Sequence, residues 1–215
     1  LFVNLYGGNR LTTKWNDGSP VDVIEQTNYP WTGDISFTVQ QMPANISLHL
    51  RIPQWAKGAK IFVNGSPLKN AIVEGTYAEV KRKWKKGDVI KLVLPMEAKL
   101  MEANPLVEEN RNLVAVKRGP IVYCLESADL PKGVDVFAVA LSLQNKFALQ
   151  PVKMGTANLV SLTTIAKETD DKPWANHLYR EISSAPAKTF PVRLVPYFAW
   201  GNRGHGEMSV WLPVR

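Results

Sequence analysis

The sequence predicts an all-β chain built as two consecutive antiparallel β-sandwich domains, residues 1–105 and 106–215. Three observations lead there. Apolar residues come in short runs, 15 prolines and 14 glycines break those runs at close intervals, and no stretch carries the periodicity of a long amphipathic helix. The length of 215 residues, 45% of them hydrophobic, suits two packed domains of about 100 residues each.

Taken in order, residues 1–6 read as the inside of a strand that ends at Gly7-Gly8. This start has neither the basic residues nor the apolar core of a signal peptide; it also lacks an initiator Met and reads as the inside of a strand, so the chain is expected to be cut from a longer one. A leader upstream would lie outside this sequence, which leaves periplasmic, secreted and cytoplasmic locations all open. Asn16-Asp17-Gly18-Ser19-Pro20 is a turn, and a strand follows over 21–26. Ile35, Phe37 and Val39 alternate with polar residues, as do Ile46, Leu48, Leu50 and Ile52, the pattern of strands with one buried face. Residues 61–63 run into Asn64-Gly65, a strong hairpin signal. Residues 77–82 and 89–94 are expected to pair through the Gly87-Asp88 turn, with Pro95 ending the pairing.

Asn104-Pro105 is the expected domain boundary. The second series begins with 113–117 and 121–125 around Gly119-Pro120. Residues 134–143 fit either a strand or a short helix, 158–165 read as a strand, and 167–190, rich in charge, Pro and Ser, as a long loop. Strands over 192–195 and 208–212 close the chain.

Composition excludes several functions. No apolar run approaches the roughly 18 residues a membrane-spanning helix needs. The net charge of +7 owes much to Lys81-Arg82-Lys83-Trp84-Lys85-Lys86, but Tyr77, Glu79, Lys81 and Lys83 alternate with Ala78, Val80, Arg82 and Trp84. That is a strand with one solvated face rather than a nucleic-acid patch. The single cysteine, Cys124, sits in an apolar run and can form neither an internal disulfide nor a multi-cysteine metal site. His49, His177 and His205 have no metal-ligand spacing. Glu25, Glu102, Glu108 and Glu207 are carboxylates without a sequence signal of an acid/base pair.

Pro196-Tyr197-Phe198-Ala199-Trp200-Gly201-Asn202-Arg203-Gly204-His205-Gly206-Glu207-Met208 packs aromatics, an arginine and glycines into a dozen residues. It fits a protein–protein contact, an internal corner held by Asn and Arg hydrogen bonds, or a ligand site.

Several motifs together resemble the C-terminal part of glycoside hydrolase family 127, whose characterised members include β-L-arabinofuranosidases. They are Leu1-Phe2-Val3-Asn4-Leu5-Tyr6-Gly7, Gln26-Thr27-Asn28-Tyr29-Pro30-Trp31, Leu50-Arg51-Ile52-Pro53-Gln54-Trp55-Ala56, Val63-Asn64-Gly65 and Trp84-Lys85-Lys86-Gly87-Asp88. Glu102-Ala103-Asn104-Pro105-Leu106-Val107-Glu108-Glu109, Arg118-Gly119-Pro120-Ile121-Val122-Tyr123-Cys124-Leu125-Glu126 and the 197–208 segment complete the set. The resemblance implies an upstream α/α barrel that carries catalysis, with a zinc-bound cysteine as nucleophile and a glutamate as acid/base, followed by β-sandwiches. None of those catalytic or zinc-binding residues maps onto this chain, so no catalytic, cofactor or metal residue is assigned here and zinc is expected in the barrel. The resemblance also implies that the barrel of the same chain is the partner of these sandwiches. A homodimer and a glycan are further candidate partners, and an autonomous carbohydrate-binding module is the alternative function. Trp31, Tyr197, Trp200 and Arg203 are the candidate contacts with the barrel.

Overall fold

The computed structural model describes residues 1–169, 178, 179, 181 and 187–214. Trp174, His177 and most of the expected 167–190 loop lie outside the described residues. Among the described residues there is no α-helix, only four single-turn 3-10 helices between strands. The chain divides into two compact units, Leu1–Glu97 and Ala98–Arg215. The division precedes Asn104-Pro105 because residues 98–101 form a strand that pairs within the second unit.

The first unit has nine strands: β1 (Phe2–Val3), β2 (Asn9–Lys14), β3 (Pro20–Thr27), β4 (Asp34–Gln41), β5 (Leu48–Arg51), β6 (Lys60–Val63), β7 (Ser66–Pro67), β8 (Tyr77–Val80) and β9 (Val89–Val93). They form a six-stranded sheet ordered β2-β3-β4-β9-β6-β7 and a three-stranded sheet ordered β1-β5-β8. Alternation decides which side chains meet in the core. Val21 and Val23 of β3, Ile35, Phe37 and Val39 of β4, and Ile90 and Leu92 of β9 turn inward from the larger sheet. Leu48 and Leu50 of β5 and Ala78 and Val80 of β8 turn inward from the smaller one. Each fully buried aliphatic side chain contributes about 1.5–3 kcal/mol of transfer free energy.

Asn64 and Gly65 close the β6–β7 hairpin with φ of 50° and 80°, the left-handed pair that a two-residue turn of this kind requires. The expected pairing of 77–82 with 89–94 is corrected. β8 pairs with β5 in the smaller sheet, whereas β9 lies between β4 and β6 in the larger one. The connection between them crosses from one sheet to the other, and two anchors hold it. Trp84 is buried and its indole N–H donates to Ile46 O at 2.6 Å. Buried Asp88 accepts from Asn64 Nδ2 and from Lys85 N, both at 2.8 Å, and its backbone is bonded to Val39. Burial pushes the Asp88 carboxyl up, but the Asn64 and Lys85 hydrogen bonds and the charges of Arg82 and Lys85 outweigh it and hold it below its ordinary value. β1 also departs from the antiparallel expectation, since Phe2 and Val3 pair in parallel with His49 and Leu50.

The second unit holds β10 (Ala98–Met101), β11 (Leu113–Arg118), β12 (Ile121–Glu126), β13 (Val139–Ala140), β14 (Ala148–Met154), β15 (Ala157–Glu168), β16 (Thr189–Pro196), β17 (Met208–Ser209) and β18 (Trp211–Pro213). All belong to one sheet with the main path β10-β11-β12-β16-β15-β13. The 134–143 region resolves into a 3-10 turn, Val136–Ala138, and the short β13. Lys167 and Glu168 extend β15 rather than opening a loop, and Thr189 and Phe190 already belong to β16.

The expected closing strand over 208–212 splits in two. β17 pairs with β12 and β18 with β11, so the chain enters a fork where those two strands part. Leu141 N–H then donates to Pro213 O at 2.8 Å, which ties the far end of the sheet path to the fork. Leu125, Leu162, Leu194 and Leu212 are buried, and the Tyr123 hydroxyl donates to Val160 O at 3.0 Å.

Candidate functional site

The segment between β16 and β17 is an internal corner with an aromatic rim. Its base is a buried charge cluster. Glu126 ends β12 and Asp129 closes the 3-10 turn Ser127–Asp129 that follows. Arg203 Nη1 donates to Asp129 Oδ1 at 3.0 Å and Nη2 to Asp129 Oδ2 at 2.5 Å, while Nη2 also donates to Glu126 Oε2. Glu126 Oε1 accepts from Gly201 N at 3.1 Å, and Arg193 Nη1 lies 3.9 Å from Asp129 Oδ1. Ser127 and Glu207 exchange two further bonds, Ser127 N to Glu207 O at 2.9 Å and Glu207 N to Ser127 Oγ at 3.1 Å. The hydrogen bonds to Asp129 and Glu126, working against burial, raise the Arg203 pKa above its ordinary value, so this cation never titrates in use.

The rim is formed by the 3-10 turn Tyr197–Ala199 and Trp200. Tyr197, Phe198 and Trp200 are 48%, 63% and 45% exposed, and Ala199 between them is buried. The Asn202 amide donates to Ala199 O at 2.9 Å and locks the turn. A fixed backbone therefore presents a cluster of aromatic side chains to solvent. Trp31 belongs to the first unit. It is half-buried, its N–H donates to Asn28 O at 2.8 Å, and it follows the cis peptide bond Tyr29-Pro30. Tyr197, Trp200 and Arg203 are thus brought together within the second unit, and Trp31 belongs to the first. Arg203 is occupied with its own carboxylates and acts by positioning the corner. Sequence reading missed Glu126 and Asp129 as its partners.

Among the described residues, the carboxylates and the thiol are engaged or shielded as follows. The two carboxylates at the corner share one guanidinium and are shielded by it. Glu108 pairs with Arg111 at 3.1 Å on the surface, and Glu102 and Glu207 are exposed. Glu25 is buried and accepts from Gly7 N at 2.9 Å and Asn9 Nδ2 at 3.0 Å; burial is the main cause of its raised pKa, with those two bonds opposing. Cys124 is a poor nucleophile, because burial, then the charges of Glu126 and Asp129, push its thiol up to about 12 against the opposing pull of Arg203. Zinc does not fit the described residues either: no three His, Cys, Asp or Glu side chains among them are grouped to hold a metal ion. A shallow depression of about 450 Å³ on the second unit is lined by residues such as Asn145, Lys146, Thr163 and Thr164, with no acid or aromatic among its lining residues.

Residues 98–213 match the family described as "Glycoside hydrolase family 127 C-terminal domain", and residues 1–96 match "Beta-L-arabinofuranosidase, GH127 middle domain". The chain belongs to glycoside hydrolase family 127. A "Non-reducing end beta-L-arabinofuranosidase" of Bifidobacterium longum subsp. longum is 32% identical over 207 residues, which is 90% of this chain and 30% of that protein. A solved family 127 β-L-arabinofuranosidase from Geobacillus stearothermophilus T6 is 37% identical, with a TM-score of 0.89 over 100% of this chain and 33% of its own. A structure described as "Glycoside hydrolase" is 43% identical, with a TM-score of 0.92 over 99% of this chain and 35% of its own. The chain therefore spans about a third of the length of these relatives.

Proposed function

We propose that this chain is the non-catalytic accessory region of a longer family 127 hydrolase that removes β-L-arabinofuranosyl groups, and that it braces the catalytic part of that polypeptide. The observation that carries this is the pairing of an intact two-unit β fold, matched along its whole length to about a third of the relatives, with a set of described residues that offers no acid/base pair, no reactive thiol and no metal cluster. The zinc and the groups that act on the glycosidic bond belong, on this reading, to the two thirds of the relatives' length that the chain does not match. Tyr197 and Trp200, held out by the corner that Arg203 fixes, are suited to cover apolar surface on the catalytic part, with Trp31 a separate contact from the first unit. Stacking of Trp200 on a sugar ring is the second reading, favoured only by its exposed indole.

The test is turnover of an aryl β-L-arabinofuranoside by the full natural chain and by residues 1–215, with bound zinc measured in each. The full chain is expected to hydrolyse the substrate and to carry zinc. Residues 1–215 are expected to do neither. Turnover by residues 1–215 alone would overturn the proposal.

A further inference from the structure

The depression on the second unit is built where β15 changes partners along one edge. Its residues Ala157–Thr163 pair with β14, and Lys167 and Glu168 pair with β13. The loop 142–146 covers the edge between those two pairings. Asn145 Nδ2 donates to Ile165 O at 2.6 Å and to Thr164 Oγ1 at 2.5 Å, and Asn145 Oδ1 accepts from Ser142 N at 2.5 Å. Thr164 Oγ1 in turn donates to Lys146 O at 2.8 Å. The loop is thus stitched to the strand and makes a fixed wall for the space of about 450 Å³ beside it.

Strand register sets the floor. Pro191 of β16 lies opposite Ile165, and Thr189 lies opposite Lys167; Thr163 is the next residue of β15 on the same face. Ile165 is 56% exposed although it sits within a twelve-residue strand. With Pro191 it forms an apolar row between two polar ones. Successive rows on a strand face are about 7 Å apart, the scale of one sugar ring. A pyranose carries C–H groups on its faces and hydroxyls around its edge. Its face therefore suits Ile165 and Pro191, while its edge meets the hydroxyls of Thr163 and Thr189. Apolar contact with a few fixed polar groups is the usual make-up of a small-ligand site.

The charge of the lining adds a preference. Lys146 and Lys167 belong to it and no acid does. Glu168 alternates to the other face of β15, and its Oε2 lies 3.4 Å from Lys188 Nζ. Among the described residues Lys146 has no ion-pair partner. An ammonium beside an acid-free surface favours a carboxylate over a neutral group.

We propose that this depression binds an acidic sugar, with the ring of a uronate residue over Ile165 and Pro191 and its carboxylate paired with Lys146 on the loop wall. The choice of a saccharide rests in part on the reading above that the chain belongs to a glycan hydrolase. The preference for a carboxylate rests on the lining alone.

Calorimetric titration of the full natural chain with trigalacturonate, and with galactotriose as the neutral counterpart, tests the site. Trigalacturonate is expected to bind saturably and at least about fivefold more tightly than galactotriose, the worth of one exposed charge pair. Raising the salt from about 0.02 M to about 0.3 M should weaken it. Lys146→Glu is expected to weaken it about fivefold or more. Lys57→Glu, the same charge change at an exposed position of the first unit, should leave it unaltered. Absence of saturable binding, equal affinity for the two trisaccharides, or equal losses in the two variants would each overturn the proposal. So would displacement by acetate at equal concentration, because the ring would then contribute nothing. Arabinofuranosidase activity of the same sample judges the proposed function separately: an active chain that does not bind trigalacturonate discards this site alone, and an inactive chain that binds it discards the hydrolase reading alone.

Discussion

Replacing Arg203 with alanine is expected to destabilise the second unit by about 3–5 kcal/mol, the usual cost of removing one partner from a buried ion pair. Glu126 and Asp129 are 7% and 8% exposed at their side chains, and Arg203 supplies hydrogen bonds to both. Without it, two buried carboxylates face each other, offset in part by Arg193, 3.9 Å from Asp129 Oδ1, and by the Gly201 N–H on Glu126. Arg203→Lys keeps the charge but loses the fork that reaches both acids, so it should recover only part of the loss. Arg203→Met combined with Asp129→Asn should cost less than the two single changes added together, because the double change removes charge from both sides. Urea unfolding followed by intrinsic fluorescence measures all five variants, the two single changes of the cycle included. A loss under about 1 kcal/mol for Arg203→Ala, the range of exposed pairs, would show that the cluster is solvated and does not hold the corner.

The second large effect is expected at Gly33, just before β4. Its carbonyl accepts from Leu94 N at 2.8 Å, and the backbone is so close that a Cβ added here would lie 1.9 Å from Leu94 O. Leu94 is itself backbone-bound and buried, so no flexible side chain can move aside. Gly33→Ala must either push β4 away from β9 or break the Gly33–Leu94 bond. Overpacking of this kind costs about 1–3 kcal/mol when side chains can shift, and the backbone clash places this case at or above that range. Thermal unfolding of the variant beside Gly7→Ala, where an added Cβ meets nothing within 4 Å, isolates the clash from the general effect of losing a glycine. Equal melting of the two would contradict the close approach.

The parts of the fold that could be read from sequence are those where one physical signal dominates. β3, β4 and β5 alternate cleanly because one face of each is core, and Asn64-Gly65 is a hairpin because few other residue pairs adopt its left-handed backbone. β2 was not legible: every residue in it is exposed, so no alternation marks it, and its pairing with β3 alone makes it a strand. β8 and β9 were legible as strands but not as members of different sheets. Neighbouring strands with a turn between them suggest a hairpin, and only the burial of Trp84 and Asp88 shows that the chain crosses the core instead. The corner was legible as an unusual composition and no further, since Arg203 lies 74 residues from Asp129 and 77 from Glu126 and nothing local announces either partner.

The bracing role makes one demand that can be measured directly. Thermal melting of the catalytic part should be followed in the full natural chain and in the same chain ended before Leu1, with kcat/KM on an aryl β-L-arabinofuranoside as the companion readout. The shortened chain is expected to melt several degrees lower or to lose solubility, with activity falling as it unfolds. An unchanged melting temperature together with unchanged kcat/KM would contradict the account.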